Sequence, residues 1–108
     1  MEDRYLGEEI KICVRATEES GLEMSEYNWR IKLWTRNSKQ VYISKGECVP
    51  QDDGSYVVCL DTNHVGAGIL KLGVIAQLPD AYFDDGLRTS IAYTEVVRIL
   101  KRYEDGEN

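Results

Sequence analysis

The chain predicts an all-β sandwich of about seven antiparallel strands, each short and half-buried. Three observations carry this expectation. Apolar residues recur with a period of two along most of the chain. Runs rich in β-branched and aromatic residues are separated by turn chemistry about every 8–12 residues. No stretch of roughly ten residues at helical spacing lies between the runs, which excludes a parallel βαβ sheet.

The elements follow in order. EIKICVRA places Ile10, Ile12, Val14 and Ala16 on one face and Lys11, Cys13 and Arg15 on the other. After the polar EESGLEMSE loop, YNWRIKLWTR puts Tyr27, Trp29, Ile31 and Leu33 opposite Asn28, Arg30, Lys32 and Trp34. NSK is turn chemistry, and QVYISKGE reads as a short strand. CVPQDDGS reads as a loop, because Pro50 and Asp53-Gly54 both interrupt a ladder. SYVVCLD is the next strand and TNHVGAG a turn in which Gly66 and Gly68 supply positive φ or close backbone approach. ILKLGVIAQL aligns Leu70, Leu72, Val74, Ala76 and Leu78 on one face until Pro79 stops it, and DAYFDDG is a loop before the final strand, LRTSIAYT. In EVVRILKRY, Val96, Val97, Leu100 and Tyr103 have helix-like spacing. The same residues also continue the last strand with a face switch at a bulge, and the strand is expected through about Leu100.

One domain is expected over residues 1–103, with an acidic tail at 104–108. The expected core comprises Ile10, Ile12, Val14, Trp29, Ile31, Leu33, Val58, Leu60, Leu70, Leu72, Val74 and Ile91. A tryptophan on an early, strongly alternating strand is where an immunoglobulin-like sandwich keeps its buried indole, so the expected architecture is immunoglobulin-like. That fold often bridges its sheets with a disulfide. Cys13 and Cys59 lie on the polar faces of their strands, so no bridge is expected and the three cysteines read as free thiols packed as small apolar groups.

The net charge of −6 over 108 residues argues against nucleic-acid partners and anionic membrane surfaces, both of which require basic patches. No run approaches the ~20 apolar residues of a membrane span. MEDRYLGEEI has no apolar stretch of the signal-peptide kind, so a cytoplasmic location is expected.

Chemistry-bearing residues are few. Cys59, Asp61 and the lone histidine, His64, can be written as a nucleophile–base–orienter set, but His64 lies past the strand that carries the other two and reads as a turn residue. Asp52-Asp53 and Asp84-Asp85 are adjacent pairs whose side chains diverge on an extended chain, and they read as turn formers. Asp80, Asp84 and Asp85 offer oxygens to a hard cation, yet their spacing matches no EF-hand loop. The glycines at 66 and 68 precede a strand, where a phosphate loop would precede a helix. No catalytic residue, metal or cofactor is therefore expected. The candidate contact patch is Trp34, framed by Arg30, Lys32 and Arg36 with Tyr42 on the next strand, and the loop aromatics Tyr82 and Phe83. Such a patch suits a protein partner or, alternatively, a carbohydrate or other surface ligand. A half-apolar strand reads the same against solvent or against a second copy, so a homo-oligomer is equally compatible.

The segment HVGAGILKLGVIAQLPDAYFDDGLR, residues 64–88, combines Gly66 and Gly68 in a turn with Leu70, Leu72 and Val74 in a strand. It continues with a Leu78-Pro79-Asp80 stop, then Asp85-Gly86 and Arg88. With YNWRIKLWT and the Asp53-Gly54 turn, it resembles small β-sandwich proteins encoded by prophages of gut bacteria, themselves similar to the immunoglobulin-like N-terminal domain of phage baseplate upper proteins. The resemblance implies a non-enzymatic structural domain that presents surfaces to other phage or tail-assembly proteins. It also implies a protein that stays cytoplasmic until it is assembled into a virion.

Overall fold

The structure, a computed structural model, describes residues 1–18, 21–37 and 39–101. Tyr103 and the acidic tail at 104–108 lie outside the described residues. Among the described residues eight strands form two sheets. They are β1 (Asp3–Tyr5), β2 (Glu9–Val14), β3 (Asn28–Trp34), β4 (Gln40–Ser44), β5 (Val49–Pro50), β6 (Tyr56–Asp61), β7 (Gly68–Pro79) and β8 (Leu87–Leu100). One sheet has the order β1-β8-β7-β3-β4 and the other β2-β6-β5. The protein is an all-β sandwich. Every pairing is antiparallel except β1 on β8, which is parallel.

The alternating pattern becomes the core directly. Ile10, Ile12 and Val14 face Trp29, Ile31 and Leu33 of the opposite sheet, with Val58, Leu60, Leu70, Leu72 and Val74 completing the layer between them. Trp29 is the centre of one end. Its ring meets Tyr56 edge-on, centroids 4.8 Å apart at 81°, and its indole N–H donates to the Met24 carbonyl at 2.9 Å. That geometry satisfies both the quadrupole and the polar tip of a buried aromatic.

Two short strands escape the sequence pattern. β5 consists of Val49 and Pro50, and proline is tolerated there because β5 is the edge of its sheet and pairs only with β6. β1 is only Asp3–Tyr5, too short to show a period. Its pairing is reinforced by Arg98, which grips Asp3 through Nε at 2.9 Å and Nη2 at 3.2 Å. This guanidinium holds the Asp3 carboxyl below its ordinary range.

Thr62 fastens β1 and β2 to the end of β6. Fully buried, it accepts the Gly7 N–H at 2.9 Å and donates to the Glu8 carbonyl at 2.9 Å. Replacing Thr62 by valine keeps the volume but orphans the Gly7 N–H, while the Glu8 carbonyl keeps the Thr62 backbone N–H at 3.1 Å. Thr62→Val is expected to cost about 1–3 kcal/mol in urea denaturation, whereas Asn63→Ala on the exposed neighbour stays within about 0.5 kcal/mol.

Two expectations are corrected. Ile91 is not in the core: it is 67% exposed. The cause is a bulge at Val96. Leu70 pairs with Val97, but Lys71 pairs with Glu95, so one residue of β8 is extra and its faces exchange there. Val97 and Ile99 point inward, while Glu95, Tyr93 and Ile91 point outward. The face switch was legible in the sequence; its consequence for Ile91 was not carried back along the strand. The second correction concerns the thiols. Cys48 is buried, but Cys13 and Cys59 are exposed on the outer face of the three-stranded sheet and are not packed as apolar groups.

Candidate interaction face

The strand registers assemble the outer face of the five-stranded sheet row by row. Tyr93, Gly73, Lys32 and Tyr42 form one row; Ile91, Ile75, Arg30 and Ser44 the next; Glu95, Lys71, Trp34 and Gln40 a third. Residues directly opposite on neighbouring strands share a face, so these side chains project together. The result is an aromatic ridge interleaved with cations. The Trp34 ring lies across Gly73, where an added Cβ would stand 3.3 Å from its Cζ3. It tilts toward Tyr93 with centroids 6.1 Å apart. Lys32 Nζ sits 4.9 Å from the Trp34 centroid, and Arg30 Cζ lies 5.2 Å above the Tyr42 ring. Both distances are within cation–π range.

The face is therefore sign-asymmetric. Arg30, Lys32 and Lys71 stand against the single acid Glu95 in these rows, on a chain whose net charge is −6. Tyr42, Ile91 and Tyr93 are all exposed here, which makes the patch apolar as well as cationic.

Of the residues singled out in the sequence, Trp34, Arg30 and Tyr42 meet on this face. Tyr82 and Phe83 do not. They sit in the β7–β8 turn, beyond Pro79, whereas Trp34 pairs with Lys71. Eight residues of extended β7 separate the two, roughly 26 Å at 3.3 Å per residue. Tyr93, Ile91 and Ile75 also belong to the patch; the bulge at Val96 hides which face Tyr93 and Ile91 occupy, while Ile75 joins it from the outer face of β7, beside Lys71 and Gly73. The signal that could have found Tyr93 is Gly73, a glycine in the middle of a strand, which marks a close approach of another group.

The remaining candidates resolve into structural roles. Cys59, Asp61 and His64 line one shallow depression near Tyr42, but the Asp61 carboxylate accepts the Asn63 N–H at 3.0 Å as a cap, and no hydrogen bond links the three. Asp80 accepts the Tyr82 N–H and pairs with Arg88 at 3.3 Å, and Asp85 accepts the Leu87 N–H. Asp53 is held by the Ser55 hydroxyl and N–H, hydrogen bonds that lower its carboxyl below the ordinary value. Among the described residues no group of three or more His, Cys, Asp or Glu could hold a metal ion, and no helix is long and apolar enough to cross a membrane.

Comparison with models of known protein families, with curated proteins and with solved structures finds no match.

Proposed function

We propose that this chain is a non-enzymatic interaction domain that works by presenting the outer face of its five-stranded sheet to a protein partner. The observation that carries the reading is the ridge of Tyr42, Trp34 and Tyr93 interleaved with Arg30 and Lys32. Aromatic residues and arginine are the side chains enriched at the energetic centres of interfaces. A net-negative chain that gathers its cations there favours an acidic partner surface.

The immunoglobulin-like part of the reading is supported by strand order. With strands lettered A′, B, C, C′, D, E, F, G along the chain, the sheets are A′GFCC′ and BED, the arrangement expected of an immunoglobulin-type sandwich. A role in a phage tail or baseplate, with cytoplasmic residence before assembly, rests on the resemblance of residues 64–88 to prophage-encoded sandwich proteins.

The test is mass spectrometry on particles purified after prophage induction in the host. The expected result is the chain at fixed stoichiometry in the particles. Trp34→Ala is expected to lose incorporation while its melting curve moves by no more than about 1 kcal/mol of stability, since the indole is only half-buried. Absence from particles, together with glycan binding that disappears in Trp34→Ala, would replace this reading with a carbohydrate-binding one.

A further inference from the structure

Among the described residues, the edge of β8 is the one long sheet margin left open. β1 covers β8 only at Arg98–Leu100, so residues 87–95 pair with β7 on one side and with nothing among the described residues on the other. The direction of their backbone groups follows from the ladder. Asp80 N–H donates to the Gly86 carbonyl at 2.9 Å, which makes that pair hydrogen-bonded. Hydrogen-bonded and non-bonded pairs alternate along an antiparallel ladder. Arg88, Ser90, Ala92 and Thr94 therefore bond to β7, while Leu87, Thr89, Ile91, Tyr93 and Glu95 turn N–H and C=O outward. Leu87 N–H is taken by Asp85 at 3.0 Å and Glu95 C=O accepts from Thr94 at 3.4 Å. The groups of Thr89, Ile91 and Tyr93 have no protein partner among the described residues.

Proteins blunt such edges with lysine, proline, bulges or short length. The other margins here are blunted. β1 and β5 have three and two residues, and β5 ends in Pro50; β2 carries Glu9 and Lys11, and the five-residue β4 is flanked by Lys39 and Lys45. The stretch from Thr89 to Thr94 has no charge, no proline and no bulge, and exposes Ile91 and Tyr93 at 67% each.

We infer that this edge pairs with the same edge of a second copy, antiparallel about a two-fold axis at Ile91. Three observations single out that occupant. First, the free stretch is bounded by the turn at Gly86 and the bulge at Val96, so Ile91 is its midpoint, and one register uses the whole length of both copies. Second, that register matches outward groups to outward groups. Ile91 meets Ile91 of the second copy and Thr89 meets Tyr93 as hydrogen-bonded pairs, with an aromatic–β-branched pair on each side of the axis; Leu87 meets Glu95 at the ends, where only the Glu95 N–H and the Leu87 C=O are free to bond. Third, the charges choose the direction. A parallel pairing would set Arg88 against Arg88 and Glu95 against Glu95, whereas the antiparallel one brings the positive end of each edge to the negative end of the other. The added strand also lies over the open mouth between β2 and β8. A groove of about 480 Å³ there exposes the rims of Ile12, Val14 and Val74 beside Ala92, and Ser90 and Ala92 of the second copy would cover it.

The test is sedimentation equilibrium of the full chain under reducing conditions, so that Cys13 and Cys59 cannot cross-link, over roughly 1 μM to 1 mM, the range of weak association. The expected result is a concentration-dependent species of twice the 12.3 kDa chain mass. Ile91→Pro removes an outward N–H that the fold does not use, and Ile91→Lys sets two ammonium groups face to face across the axis. Each is expected to raise the dissociation constant by about tenfold or more with little change in melting temperature. If the proline disturbs the fold, the lysine variant still decides. With Cys13 and Cys59 changed to serine and the reductant replaced by oxidised glutathione as the electron acceptor, Ile91→Cys should oxidise to a disulfide-linked dimer, since hydrogen-bonded partners stand about 5.5 Å apart at Cα. A wild-type chain that stays monomeric throughout overturns the inference. So does a dimer that survives Ile91→Lys, and one that dissociates instead in Trp34→Ala would belong to the sheet face.

Discussion

Trp29→Ala is expected to be the most destabilising single truncation in the core, by about 3–5 kcal/mol. The indole is 2% exposed, so almost all of its apolar surface is lost from the interior. Two further effects add to the cavity. The edge-to-face contact with Tyr56 disappears, worth about 0.5–1.5 kcal/mol beyond area, and the Met24 carbonyl loses its donor. Domains of this size are stable by about 5–15 kcal/mol, and each kcal/mol moves the midpoint by roughly 4–8 °C. Calorimetry should therefore find the transition lowered by roughly 12–40 °C, or absent. The comparison that gives this meaning is Trp34→Ala. The two tryptophans are five positions apart on one strand, on opposite faces, and only one of them should matter for stability. A Trp29→Ala melting curve close to wild type would mean that the facing of β3 is wrong, and with it the row order of the interaction face.

That contrast also explains how much of the molecule was legible in its sequence. β2, β3, β6 and β7 have one face inside and one outside, so a period of two is written into their side chains and their core residues could be named individually. β8 obeys the same rule on each side of Val96, and the adjacent Val96 and Val97 signal the face switch, but the facing of every residue upstream reverses with it. Ile91 was misassigned for this reason, and Tyr93 went unnoticed as a neighbour of Trp34. Tyr82 and Phe83 fail differently. They are exposed aromatics, as expected, but the distance between a loop and a strand end depends on how far the intervening strand runs straight. Twelve residues of β7 carry that loop well away from Trp34. Strands of two or three residues, such as β1 and β5, have no period to read; only their neighbours' unpaired edges call for them.

Gly66 is the site of the second large effect. Its φ of 84° lies in the left-handed region, costing a non-glycine residue roughly 1–2 kcal/mol and a β-branched one more. Space is short as well: an added Cβ would lie 2.8 Å from Asn37 Nδ2. That amide is not free to retreat. It donates to Ala67 O at 2.6 Å and to Thr35 Oγ1 at 3.1 Å, and the Thr35 hydroxyl in turn donates to Val65 O at 2.8 Å. The turn after β6 is thus stitched to the end of β3, and displacing Asn37 forfeits bonds worth about 0.5–1.5 kcal/mol each. Gly66→Val is expected to lose about 3–4 kcal/mol in urea denaturation. Gly54 supplies the control: its φ is 90° but nothing lies within 4 Å of its added Cβ, so Gly54→Ala should lose only the backbone part, about 1–2 kcal/mol. A double-mutant cycle separates the two causes at Gly66. In an Asn37→Ala background the obstructing amide is gone, and Gly66→Ala should then cost no more than Gly54→Ala, a coupling of about 1 kcal/mol or more. Strict additivity would mean that the left-handed backbone alone requires glycine here, and that the amide of Asn37 can swing aside without loss.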